Sequence, residues 1–209
     1  MSIEEIKTKH LKLKKSDGGS FFKSPSYKIF GSDSHKYKFN ICLSEPEIKA
    51  FEQMHSIVFP KDYRNFLLRI GNGGSGPAYG LLKLSEWNIE LDITKETFLS
   101  TPFPHSTHWY MERHFDMEDD NVYESQEFQD WEEEYYSNRH VTGSIRICHY
   151  GCAIYYLLVV TGDEKGNIWV DDRANDEGIY PAISKQSGKK LSFLEWYNDW
   201  LDESLQQLS

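Results

Sequence analysis

The sequence lacks any long apolar run. Its longest, Cys152 to Val160, has nine residues, under half of the roughly 20 that a helix needs to cross a bilayer. No transmembrane helix and no membrane partner are expected. The N-terminal MSIEEIKTKHLKLKK has no continuous apolar core, so no secretory leader is expected and the protein is placed in the cytoplasm. Cysteine is scarce: Cys42, Cys148 and Cys152 are odd in number and have no framework spacing. That argues against a disulfide scaffold and for reduced, buried thiols.

Catalytic signatures are missing as well. Gly71, Gly73 and Gly76 formally satisfy G-x-G-x-x-G, but a dinucleotide fingerprint leaves a strand and opens a helix. Here a helix precedes the glycines, a strand over Leu81 to Leu84 is expected after them, and no G-K-[ST] follows. The loop reads as a structural turn needing several positive φ values. Two groups, His105, His108, His114 and Cys148, His149, Cys152, lack the tight paired repeats of zinc ligands. No residue is identified that would orient a Cys-His nucleophile. Asp171, Asp172 and Asp176 could hold a cation, but Arg173 stands among them and a turn held by Asp side chains is the commoner outcome. No catalytic residue, metal or cofactor is expected.

Charge is present in quantity but unevenly placed. The formal net charge is −10, and the window from Glu112 to Glu134 holds eleven acids against Arg113 alone, which accounts for all of it. Residues 1–38 carry nine lysines against four acids. With no basic face on the main domain, nucleic acid is not an expected partner. A basic protein fits better.

Along the chain, Ile3, Ile6, His10 and Leu13 are spaced for a short amphipathic helix with a lysine-rich back, either a solvated face or a contact for nucleic acid or a membrane. Ser16 to Ser20 reads as a break, and Tyr27 to Ile41 as a two-strand edge. Ser44, Pro46 and Glu47 form a capping-box start to a helix ending near Met54. A second helix places Tyr63, Phe66, Leu67 and Ile70 on one face and ends at Gly71. Trp87 to Leu99 is consistent with a strand. Glu124 to Tyr136 fits an acidic helix whose Phe128, Trp131 and Tyr135 make one stripe. This segment is either a solvated insertion packed by its stripe or a docking surface, since so concentrated a charge destabilises by self-repulsion. Cys152 to Val160 predicts a central strand buried on both faces, paired as a hairpin with Asn167 to Asp171 across a turn from Gly162 to Gly166, with Gly151 marking a bend. Ser192 and Glu195 open a final helix with Leu194, Tyr197, Leu201 and Leu208 inward and Trp196 and Trp200 on its flank.

Taken in order, FPKDYRNFLLRIGNGGSGPAYGLLKL, ICHYGCAIYYLLVVTGDEKGNIWVDDR, GIYP and FLEWYNDWLD resemble the bacterial members of the SUKH superfamily. The resemblance implies an α+β single domain with a mixed, largely antiparallel sheet flanked by helices, and binding rather than catalysis as the activity. Bacterial members look like immunity proteins that neutralise a cognate toxin, often a nuclease, and fungal relatives like regulatory scaffolds or adaptors for endogenous proteins. Residues 44–209 are expected to form this domain, with residues 1–43 an N-terminal extension and an acidic insertion at about 105–140. For the toxin reading, Glu118, Asp119, Asp120, Glu132, Glu133 and Glu134 are the expected steering charges. Tyr123, Trp131 and Tyr135 are the expected anchors, and Asp171 and Asp172 are candidates for the same interface.

Overall fold

The longest apolar run resolves into a reversal followed by a strand. Gly151, Cys152 and Ala153 have φ of 117°, 48° and 57°, so the chain folds back before β2 can begin at Ile154. The structure, a computed structural model, describes residues 2–19, 24–93 and 96–209. Strands β1 (Ser144–Gly151), β2 (Ile154–Val159), β3 (Ile168–Asp172) and β4 (Gly178–Pro181) lie in the order β1-β2-β3-β4. Every pairing among them is antiparallel, in line with the expected α+β domain with a largely antiparallel sheet. Consecutive strands are joined by short turns, and a parallel pair needs a crossover of a dozen residues or more.

β2 is central, with Leu157 opposite Trp169 and Leu158 opposite Ile168. All four of these side chains are buried. Single bridges extend the sheet at both edges. Beyond β1, Cys148 pairs with Leu81, Leu81 with Gly74, and Gly74 with Phe39; beyond β4, Trp109 pairs with Ile179. The glycine-rich loop is therefore a sheet edge. A Cβ on Gly74, whose φ is 104°, would stand 2.4 Å from the Lys38 carbonyl oxygen.

The helices are α1 (Ile3–Asp17), α2 (Ser32–His35), α3 (Glu45–Met54), α4 (Lys61–Arg69), α5 (Gln126–Tyr135) and α6 (Phe193–Gln207). Capping boxes at Ser44/Glu47 and Ser192/Glu195 open α3 and α6 as their sequences predict. Phe66 of α4 meets Phe193 and Tyr197 of α6 edge to face, with centroids 5.1 and 5.2 Å apart. Buried aromatic pairs of this kind add about 0.5–1.5 kcal/mol each to the gain from area alone. Ile6 and Leu13 of α1 are fully buried in the same core as the sheet, so the N-terminal helix is packed into the α/β body.

Several extended segments expected from alternation are irregular. Between Tyr27 and Ile41 the chain turns at Gly31 into α2, and Ile41 is 91 % exposed. Leu81 to Leu84 shrinks to one bridged residue, Leu81, because the Asn72 side chain takes the Leu84 amide and a 3-10 turn over Leu84–Glu86 begins at once. In the Trp87 to Leu99 stretch, Glu90 has φ 58°, a conformation no strand accommodates. Thr94 and Lys95 in that stretch, like Ser20 in the expected break, lie outside the described residues. Of the cysteines, only Cys148 is buried, and Cys42 and Cys152 are exposed. Cys152 is exposed because it sits in the reversal and not in the strand.

What holds the segment after α1 is a single carboxylate. Asp17, fully buried, accepts hydrogen bonds from Tyr37 Oη (2.6 Å), Ser26 Oγ (2.7 Å), the Lys28 amide (2.7 Å), the Ile29 amide and Ser32 Oγ (both 3.3 Å). Burial raises its pKa, but the hydrogen bonds from Tyr37, Lys28, Ser26 and Ile29 outweigh that and the net direction is down. Asp17→Asn, which turns an amide towards those donors, is expected to cost about 2 kcal/mol. Urea denaturation and faster exchange of the Lys28 and Ile29 amides would show it, whereas unchanged exchange would refute this role.

Candidate functional site

The acidic window forms an appendage with its own small core. Ser125 caps α5 by accepting from the Phe128 amide, and the i, i+3, i+7 stripe turns inward. Phe128, Trp131 and Tyr135 are buried against Trp109, Met111, Phe115, Met117 and Val122. Tyr135 stacks on Trp109 at 5.5 Å, and Trp131 donates from Nε1 to the Glu112 carbonyl at 3.1 Å. The two expected anchors Trp131 and Tyr135 are thus 6 % and 0 % exposed. They are corrected from interface to core, since this stripe is the apolar face of α5 and the small core of the appendage forms on it. Tyr123 is half-exposed and edge-on to Phe128 at 5.3 Å.

The carboxylates lie outside this stripe. Glu132 and Glu133 are exposed on α5, and Glu118 and Asp119 are exposed in the loop before the 3-10 turn Asp120–Glu124, which packs on α5. Among the described residues none of these four has an ion-pair partner, although Asp119 caps the turn through the Asn121 amide. The side chain of Asp120 lies outside what the structure describes. Glu134 differs from its neighbours, because it pairs with Arg139 and lies 3.1 Å from His140 Nε2. It holds the end of α5 and is not a free charge.

Asp171 and Asp172, adjacent on β3, point to opposite faces of the sheet. Asp171 is buried and accepts Arg173 Nε at 2.6 Å and Nη2 at 2.8 Å, with Arg146 Nη2 at 3.6 Å. The Arg146 guanidinium lies 3.9 Å above the Tyr155 ring. Arg173 Nη1 donates to the carbonyls of Tyr135 and Ser137, 3.1 Å each, which anchors the C-terminus of α5 to β3. Asp171 is therefore a structural ion-pair residue and is withdrawn from the interface. Among the described residues no group of three or more His, Cys, Asp or Glu is placed to hold a metal.

Asp172 faces a groove of about 900 Å³ between the sheet and α6. Its carboxylate accepts from Tyr180 Oη at 3.0 Å and Asn175 Nδ2 at 2.7 Å. The groove is walled by Tyr156, Tyr180, Trp196 and Trp200, and Asp199 and Glu203 also line it. Trp196 meets Tyr156 at 5.0 Å. The sequence places the two tryptophans on the flank of α6 and leaves open what they face. The available signal was their i, i+4 spacing off the Leu194, Tyr197, Leu201 stripe, with acids interleaved.

A family model described as SMI1 / KNR4 family (SUKH-1) matches residues 42–186, more than half of the chain, from just before α3 to beyond β4. No curated protein and no solved structure matches the chain. Among the described residues no helix is long and apolar enough to cross a membrane.

Proposed function

Because the chain belongs to the SMI1 / KNR4 family (SUKH-1), we propose that it is a non-catalytic binding module, an immunity protein that occludes the active surface of a cognate, basic, nuclease-type toxin. The observation that carries this reading is the exposed, unpaired set Glu118, Asp119, Glu132 and Glu133, mounted on an appendage whose aromatic stripe gives it a rigid base. Carboxylates without partners repel one another, a cost that a cationic partner removes. A nuclease keeps a positive surface for phosphates. An acidic binder takes the substrate's place there and gains association rate, with kon towards ~10⁸ M⁻¹s⁻¹ at low salt. Tyr123, half-exposed beside these charges, supplies apolar contact once the partner has docked.

The test is stoichiometric inhibition of a basic toxin domain encoded by the adjacent gene, with kon followed against salt. Glu132→Lys together with Glu133→Lys is expected to lower kon about tenfold at low salt, with the difference fading as the Debye length shrinks to about 3 Å at 1 M. Equal rates for both proteins, or binding that leaves the toxin active, would sink the proposal. Recovery of an endogenous regulator in place of a toxin would favour the scaffold reading.

A further inference from the structure

The groove between the sheet and α6 has a charge pattern that the fold resolves only in part. Trp196 and Trp200, Asp199 and Glu203, and the mixed pairs Trp196/Asp199 and Trp200/Glu203 are three or four residues apart, so they are neighbours on one helix surface. Like charges at i, i+4 disfavour a helix, and carboxylates towards its C-terminus oppose the macrodipole. The last turn of α6 has no basic residue. Asp202 is paired with Lys9 and Glu203 with the well-exposed Lys185. Asp199, among the described residues, has neither a hydrogen-bond nor an ion-pair partner, and burial with the nearby carboxylates Glu203, Asp202 and Glu195 raises its pKa against the opposing charge of Lys185, which also lines the groove.

Rings and carboxylates together select the ligand. Aromatic faces attract cations, and a guanidinium both stacks on a ring and bridges carboxylates, which an ammonium does less well. At the mouth, Phe30 packs against Tyr79 and Tyr150 at 5.4 and 5.5 Å. These three rings remain 54 %, 46 % and 43 % exposed. A free ion would leave them uncovered, whereas a polypeptide passing through the groove would cover them. We propose that the groove seats an arginine-bearing extended segment of the partner protein, the guanidinium lying against the half-buried Trp200 and pairing with Asp199 and Glu203. This rests on the reading that the partner is basic, and it adds a second surface, distinct from the acidic appendage.

The probe is a blocked heptapeptide with two arginines separated by alanine and leucine, compared with the same peptide carrying citrulline, which is neutral and nearly isosteric. It is titrated into the full chain while the indole N–H resonances of Trp196 and Trp200 are followed. Saturable shifts of both are expected, with affinity about tenfold weaker for citrulline and for the double variant Asp199→Asn, Glu203→Gln. That variant relieves repulsion, so its Tm should be unchanged or higher, which separates lost binding from lost fold. Shifts confined to the Tyr123 region, equal binding of citrulline, equal displacement by spermidine, or no saturation by about 5 mM would overturn the proposal. Failure of the peptide while charge reversal at Glu132 and Glu133 still slows toxin capture removes the groove and leaves the function. Peptide binding without toxin inhibition does the reverse.

Discussion

Asp171→Ala is expected to destabilise the protein by about 3–5 kcal/mol, the cost of leaving a buried charge without its partner. The variant strands two guanidinium groups, since Arg173 loses both of its short contacts and Arg146 its only acidic neighbour within 4 Å among the described residues. Both arginines are nearly inaccessible, at 4 % and 8 % exposure, so water cannot replace the carboxylate. Total stability of a domain is only about 5–15 kcal/mol, and the loss should be visible as a large fall in urea midpoint. The damage should also spread, because Arg173 holds the Tyr135 and Ser137 carbonyls at the end of α5. Hence an Asp171 variant that fails to bind a partner reports lost structure, not a lost contact. A cost below about 1 kcal/mol would mean the pair is dispensable. Adding Arg173→Met to Asp171→Ala should recover part of the stability, since an apolar replacement needs no counter-charge.

Acid should unfold the protein early. His10, His35, His105 and His140 each have a pKa lowered to about 4, chiefly by burial. For His10 the positive charge of Lys14 contributes, and for His140 those of Arg173 and Arg139. The folded form keeps these rings neutral while the unfolded chain protonates them near 6.5, so the unfolded state binds more protons as pH falls. Stability is therefore intact above about pH 6.5 and declines down to pH 4, by up to about 1.4 kcal/mol per pH unit for each histidine. At pH 5 this reaches about 2 kcal/mol per group, and two of the four suffice to take a large share of a typical stability. Two of these rings sit at the base of the acidic appendage: His140 stacks 4.0 Å from Trp109 and 5.6 Å from His105. Urea midpoints at pH 7.5, 6 and 5 check the decline, and histidine titration by NMR assigns it. A flat profile across that window would contradict neutral burial of these rings.

The division between what was legible in the chain and what was not follows the range of the forces involved. Local signals were readable: the capping boxes at Ser44 and Ser192, the i, i+3, i+4 stripe of α4, the β2–β3 hairpin and the acidic helix all arise from contacts within a few residues. Alternation misled at Tyr27 to Ile41, where the chain turns into α2, Tyr37 donates to the buried Asp17 and Phe39 makes a single bridge to Gly74. The family resemblance and the charge of the appendage were likewise present in the sequence alone. The roles of individual site residues were not. Trp131 and Tyr135 look like anchors until Trp109 and Phe115 arrive from elsewhere in the chain to cover them. Asp171 and Asp172 look equivalent until the pleat sends one to two arginines and the other to a groove.

The sequence by itself determined the fold class, the placement of most helices and the concentration of charge, because propensity, periodicity and composition act locally. Only the tertiary structure decided which aromatics are spent on a core and which remain available, and which carboxylates are neutralised. Burial and ion pairing depend on residues far apart in the chain, and the long-range packing alone brings those together.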